Sequence, residues 1–209
     1  MRARGTRGLT LEDADAYATA HSTSATDVLR RLGEETATRD DAEMSVGPLE
    51  GAFLRFLVAL KQPRRVLEIG VFTGWSSIEM ATALPPGASI VACDVDPETT
   101  AIAKRYAEEA GVADRIDYRV GDAFETIASL EGPFDLVFLD AWKVDYIRYY
   151  EAVLPKLAGD GVIVADNTLN GLHGNERIAA FNEHVMNDDR VECVLVPIRE
   201  GVTLIRRRP

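Results

Sequence analysis

From residue 66 onward, short apolar runs alternate with helix-period stretches, and few architectures accept that order. The strand-like runs are Val66–Ile69, Ser89–Cys93, Ile116–Val120, Asp135–Leu139 and Gly161–Ala165. Between and after them the spacing predicts helices over Trp75–Leu84, Pro97–Ala110, Phe124–Leu130, Tyr146–Leu157 and Glu176–Met186, with Gly159-Asp160-Gly161 as the turn that closes the fourth. Runs that are apolar along their whole length are buried on both faces, as in a parallel sheet covered by helices on two sides. Val191–Ile198 and Val202–Arg206, joined by Arg199-Glu200-Gly201, read as a hairpin. The expectation is an α/β protein with a doubly wound, mostly parallel seven-stranded sheet that ends in an antiparallel hairpin strand.

With 209 residues the chain reads as one domain, with residues 1–41 as a helical extension and 42–209 as the core. Helical patterns cover 10–20 and 23–37, and Thr10-Leu11-Glu12-Asp13 offers a capping-box variant. Pro48 suits the first turn of a helix reaching Lys61. The basic start, Met1–Gly8, has no apolar segment behind it; it reads as a frayed tail and not a secretory signal. The apolar runs are far too short for a bilayer. Cys93 and Cys193 both sit in strand-like runs and read as core thiols of a reduced, cytoplasmic compartment. A net charge of −11 disfavours nucleic-acid partners. Arg206-Arg207-Arg208 reads as a solvated end.

Two apolar runs stop abruptly in oxygen-bearing side chains: Asp140 after the fourth, Asp166-Asn167 after the fifth. Ligands of open α/β sheets bind beyond the carboxyl ends of strands. Two carboxylates and an amide oxygen suit a hard divalent cation such as Mg2+, or Mn2+ or Ca2+. Singly, each Asp reads better as a cap or turn residue; two such strand ends with the adjacent Lys143 favour the functional reading. After the first strand, Gly70 and Gly74 allow close backbone approach to a ligand, in a G-x-x-x-G spacing that is not the dinucleotide G-x-G-x-x-G. Asp94 ends the second strand, where a carboxylate can bind ribose hydroxyls or cap the next helix. Glu68 is unusual inside a buried strand and needs a partner: a ligand's ammonium, a backbone N–H, or Arg64 or Arg65.

Taken together, Met44-Ser45-Val46-Gly47, Leu67-Glu68-Ile69-Gly70, Thr73-Gly74-Trp75-Ser76, Asp94, Leu139-Asp140-Ala141-Trp142-Lys143 and Ala165-Asp166-Asn167-Thr168 resemble the metal-dependent class I S-adenosylmethionine O-methyltransferases of the catechol and caffeoyl-CoA type, over about residues 42–206. The resemblance implies a Rossmann-like methyltransferase fold, S-adenosylmethionine as donor, a divalent cation, a small hydroxylated acceptor and a homodimer. It implies Asp140, Asp166 and Asn167 as metal ligands and Lys143 as general base. It places Met44, Val46, Glu68, Gly70, Phe72, Ser76, Asp94, Val95, Ala123, Phe124 and Asp140 at the donor, and Met44, Trp142, Lys143 and Asn167 at the acceptor.

There are departures. Ala141 stands where the catechol branch has a histidine, no tryptophan follows Asn167, and Pro197-Ile198-Arg199 replaces a C-terminal glutamate that bonds the acceptor. The implied reaction is in-line attack of an acceptor oxygen on the sulfonium methyl group, with Lys143 taking the hydroxyl proton. Competing readings are a tRNA (hydroxyuridine) methyltransferase, an NAD-dependent oxidoreductase and a non-catalytic cofactor-binding module.

Overall fold

The computed structural model describes residues 10–209. The expectation for Met1–Gly8 lies outside the described residues. Three helices precede the sheet: α1 (Leu11–Ala20), α2 (Asp27–Thr36) and α3 (Gly47–Lys61), with a 3-10 turn at Ala42–Met44. Thr10 and Asp13 form the capping box, each side chain accepting the other's backbone N–H. α2 starts four residues later than the spacing predicts, because the Thr26 hydroxyl takes the N-cap position and accepts from Leu29 N–H. α2 packs into the main core: Leu29 and Leu32 are fully buried there, and the Thr36 hydroxyl bonds that of Thr73 at 2.9 Å.

The alternation then runs β1 (Arg65–Ile69), α4 (Trp75–Ala83), β2 (Ser89–Asp94), α5 (Pro97–Glu109), β3 (Ile116–Val120), α6 (Ala123–Ser129), β4 (Phe134–Leu139), α7 (Tyr146–Val153), β5 (Leu157–Ala165), α8 (Glu176–Met186), β6 (Val191–Val196) and β7 (Val202–Arg207). They form one sheet of order β3-β2-β1-β4-β5-β7-β6. β1 to β5 are parallel, and β7 runs antiparallel to both β5 and β6. The expected architecture is observed.

Strand residues alternate between two apolar layers. Val66, Leu136, Phe138 and Val164 pack with α2 to α5, while Leu67, Ile69, Val137, Leu139 and Ile163 pack with α6 to α8. Each fully buried side chain of this size contributes about 1.5–3 kcal/mol. The strand order reverses between β1 and β4, and the crevice at their carboxyl ends is where such sheets bind ligands.

Three expectations are corrected. The Gly159-Asp160-Gly161 segment is not a turn but part of β5, which already begins at Leu157 and shifts register against β4 between Phe134 and Leu136. Two glycines permit that bulge, and a Cβ on Gly161 would press on the Leu157 side chain. Cys93 is buried but Cys193, on the edge strand β6, is only half-buried. The terminal arginines are not merely solvated: Arg206 pairs with Glu192, Arg207 donates to the Leu154 carbonyl and Arg208 to that of Val191. No helix among the described residues is long and apolar enough to cross a membrane.

Glu68 is fully buried in the layer between β1 and α4. Its carboxyl accepts from the hydroxyls of Ser76, at 2.5 Å, and Ser77; neither Arg64 nor Arg65 is its partner. Burial pushes it up to about 8, the serine bonds opposing. The folded protein therefore favours the neutral acid. This contribution to stability is complete below the ordinary glutamate range and is lost as pH rises through about 8. Glu68→Gln should flatten the fall in Tm between about pH 5 and 9 and exceed wild type at pH 9, read by scanning calorimetry. An equally steep decline in the variant would remove Glu68 as its source. Gly70 has φ +96, and a Cβ there would collide with the Asp140 carbonyl. Gly70→Ala should destabilise by about 2 kcal/mol or more in urea titrations, and an unchanged midpoint would contradict the close approach.

Candidate active site

The backbone bonding continues one residue past the ends of three strands. Gly70 N–H donates to the Cys93 carbonyl, Asp140 N–H to that of Ile69 and Asp166 N–H to that of Leu139. Leu139 and Ala165 are paired in register, so the residues that follow them emerge side by side, at the spacing of neighbouring strands. Gly70, Asp140 and Asp166 thus line the rim of a single cavity of about 550 Å3.

The cavity has two ends. At the first, the loop after β1 turns through Phe72 at φ +51 and Gly74 at φ +94 into α4. Asp94 fixes that loop: one carboxylate oxygen accepts from Val71 N–H and Phe72 N–H, both at 2.8 Å, and the other from Asp96 N–H at 2.9 Å. Met44, Val46, Gly70, Phe72, Ser76, Asp94, Val95 and Ala123 all line this space. Two residues expected here do not. The Glu68 carboxyl lies behind Ser76 and is spent on serine hydroxyls. The Phe124 ring turns away to stack on Tyr149, with centroids 4.3 Å apart, and lies under the Arg148 guanidinium. Cys93 also lines the wall, but burial pushes its thiol up to about 12, which leaves it unreactive.

At the other end Asp140, Trp142, Lys143, Asp166 and Asn167 converge. Lys143 Nζ donates to Asp140 Oδ1 and to the Tyr146 hydroxyl, each at 2.8 Å; Asp145 pairs instead with Arg148. Asp166 is almost fully buried and accepts Asn167 N–H at 2.6 Å. Asn167 takes the left-handed conformation, φ 56, which asparagine tolerates better than most residues. Its amide nitrogen donates to Glu200 at 2.8 Å, which leaves the amide oxygen free of that bond. Trp142 stands at the mouth with 73% of its surface exposed.

Several residues of this end were not singled out from the sequence. Tyr146, at the start of α7, is fully buried; its hydroxyl faces Lys143 and the carbonyls of Leu139 and Asp166. Burial, then the charges of Asp140 and Asp166, raise that phenol well above its ordinary range, so it remains a neutral anchor. Glu200 lines the cavity from the hairpin, one residue beyond the segment expected to lack a glutamate. It is brought there by bonds from Thr168 N–H to the Gly201 carbonyl and from Leu169 N–H to its own. Arg199 and Asn170 line the same wall. Glu50, from α3, is fully buried nearby. Tyr146 carried a helix period and Glu50 followed Pro48 in a helical first turn, so both read as ordinary helix residues.

The charge here is unbalanced. Burial, and then the Asp140 charge, lift Asp166 to about 7, with Lys143 pulling the other way. Burial followed by the charges of Asp166 and Asp140 lifts Glu50 well above the usual range. Among the described residues no three His, Cys, Asp or Glu side chains are spaced to enclose an ion, so the available donor set is Asp140, Asp166 and the Asn167 amide. Two carboxylates, an amide oxygen and room for water fit a hard divalent cation, which would relieve the repulsion.

A family model described as O-methyltransferase matches residues 19–208, and so includes α2 as well as the segment in which the motifs lie. The chain is 35% identical over 200 residues to caffeoyl-CoA O-methyltransferase 1 of Zea mays, covering 86% of this chain and 78% of that protein. It is equally identical to tricin synthase 2 of Oryza sativa subsp. japonica, at 86% and 68% coverage. Among solved structures, the SAH-bound methyltransferase PaMTH1 of Podospora anserina superposes with a TM-score of 0.89 at 29% identity, covering 98% of this chain and 99% of the other. The O-methyltransferase TomG of Streptomyces achromogenes, in complex with SAM, gives 0.85 at 28% identity, with 94% and 96% covered. These likenesses leave no place for an NAD-dependent oxidoreductase or a non-catalytic module. The chain belongs to the S-adenosylmethionine-dependent O-methyltransferases of the caffeoyl-CoA O-methyltransferase type.

Proposed function

We propose that the acceptor is a small aromatic molecule with two adjacent hydroxyls, methylated on one oxygen beside a divalent cation held by Asp140, Asp166 and Asn167. The observation that carries this reading is the convergence of those three side chains with Lys143 at one end of the cavity whose other end is walled by Gly70, Ser76 and Asp94. The cation, when bound, supplies Lewis acidity to a phenolic oxygen and a template for two vicinal ones.

The chain's own residues do the rest. Lys143 takes the proton of the attacking hydroxyl at Nζ, which Tyr146 and Asp140 hold in place from two sides. Trp142 at the mouth offers an apolar face to the acceptor ring, and Met44 and Val46 close over the donor. Asp94 accepts from the loop that borders the donor, so it shapes that wall as well as offering a carboxylate to the ribose. Because the sulfonium is already activated, alignment of oxygen, methyl and sulfur accounts for most of the required acceleration. The −11 charge supports a small-molecule acceptor over transfer RNA.

Excess EDTA should abolish turnover of a catechol with labelled donor, and added Mg2+ should restore it; full activity in EDTA would sink the cation's role. Lys143→Met should lower kcat about 10²–10⁴-fold while leaving the Kd of S-adenosylhomocysteine unchanged, as measured by calorimetry. A kcat within threefold of wild type would dismiss Lys143 as the base.

A further inference from the structure

Arg199, between β6 and β7, holds a backbone conformation that an arginine rarely adopts: its φ is 49, in the left-handed region that suits glycine. Such a residue persists where its surroundings over-determine it. Two bonds do so here. Its backbone N–H donates to Asp15 of α1 at 3.2 Å, and its Nη1 donates to the Val46 carbonyl. A glycine would make the first bond equally well; the second belongs to the side chain. Val46 ends a strap in which Asp41, Glu43, Met44, Ser45 and Val46 all line the cavity. The strap has little hold of its own. Its 3-10 turn is closed by Met44 N–H to the Asp41 carbonyl and Ser45 N–H to that of Ala42, Met44 is exposed, and Gly47 at φ +66 turns the chain into α3. At its start Arg39 pairs with Asp41 and lies over the Phe72 ring, 5.6 Å from the centroid. Among the described residues, the sole hydrogen bond from Ala42–Val46 to a distant part of the chain is the one from Arg199.

We propose that Arg199 is a positioning residue for the methyl donor: by holding the Val46 carbonyl, its guanidinium orders the Met44–Val46 strap before the donor arrives. The inference rests on the placement of Met44 and Val46 over the donor given above, and on neither the acceptor nor the cation. A ligand that meets a wall already in place does not pay to order it. Where the wall is in place only part of the time, the apparent affinity falls by that fraction. A hydrogen bond from a charged donor is among the stronger ones, and the Arg199 side chain is only 28% exposed, so water competes poorly for it. Glu50 Oε2, 3.3 Å from the same Nη1, steadies the guanidinium from the α3 side. Cost and gain thus fall on different parts of one residue. The left-handed backbone works against stability, and the side chain works for donor binding.

Arg199→Gly separates the two, because glycine accepts the same φ and keeps the bond to Asp15 while losing the guanidinium. The test is amide hydrogen exchange at residues 42–46, with and without S-adenosylhomocysteine, alongside the Kd of that ligand by calorimetry. In the wild type the ligand should slow exchange at 42–46. In ligand-free Arg199→Gly, exchange there should be about 10-fold faster than in ligand-free wild type, with β1, β4 and β5 unchanged, and the Kd should rise about 10-fold. A Kd within about twofold of wild type overturns the inference. Weaker binding with unchanged exchange at 42–46 also overturns it, since Arg199 would then act on the donor directly. Faster exchange throughout β1, β4 and β5 overturns it as well, since the residue would then serve the fold at large. If exchange rises in β6 and β7, glycine has loosened the hairpin, and Arg199→Gln, which keeps a side chain without the guanidinium, decides by the same readings. If S-adenosylhomocysteine fails to slow exchange at 42–46 in the wild type, the placement of the strap over the donor falls, and this inference with it.

Discussion

The site depends on the close passage of two backbones at the carboxyl ends of β1 and β4. Gly70 N–H is bonded to the β2 side and the Ile69 carbonyl to Asp140 N–H, so the chain after β1 is held against the chain after β4 with no room for a side chain between them. That contact keeps the cavity's two halves in register. Gly70 walls one end of the cavity and Asp140 the other, and they are neighbours across adjacent strand ends. The next strand adds Asp166 by the same bonding pattern. A one-residue slip would send these side chains to the opposite faces of the sheet.

Around this contact the structure concentrates negative charge. Asp140, Asp166 and Glu200 line one end of the cavity with Glu50 buried beside them, and Lys143 and Arg199 are the cationic side chains of that wall. Other buried acids are met only in part: two serine hydroxyls donate to Glu68, and Arg55 approaches Glu79 at 3.6 Å. Here Glu50 lies against Asp166 and Arg199, and burial with the charges of Asp166 and Asp140 holds it toward the neutral acid. Such an excess is destabilising for the empty fold and favourable for one that binds a cation. The N-terminal helices join the same economy, since Arg199 ties the hairpin to α1 through Asp15 and to α3 through Glu50.

Errors in reading the sequence share one cause. Gly159-Asp160-Gly161 has turn composition, yet pairing with β4 carries the strand through it as a bulge. Phe124 follows Ala123 at a strand end, yet a nearby aromatic, Tyr149, captures its ring. Glu200 escaped notice because the hairpin's position depends on bonds to the segment after Asn167, more than 30 residues away in sequence.

The sequence by itself determined the alternation of strands and helices, the parallel sheet with its reversed last strand, and the oxygen-bearing ends at Asp140 and Asp166-Asn167. Those follow from local periodicity and from the abrupt change in polarity at a strand's end, which neighbouring residues specify. Only the tertiary structure decided that Tyr146 anchors Lys143, that Glu68 turns inward, and that Glu50, Arg199 and Glu200 gather near Asp140 and Asp166. Each of those depends on which distant element packs against a residue, and helix-period residues carry no local mark of what they will face.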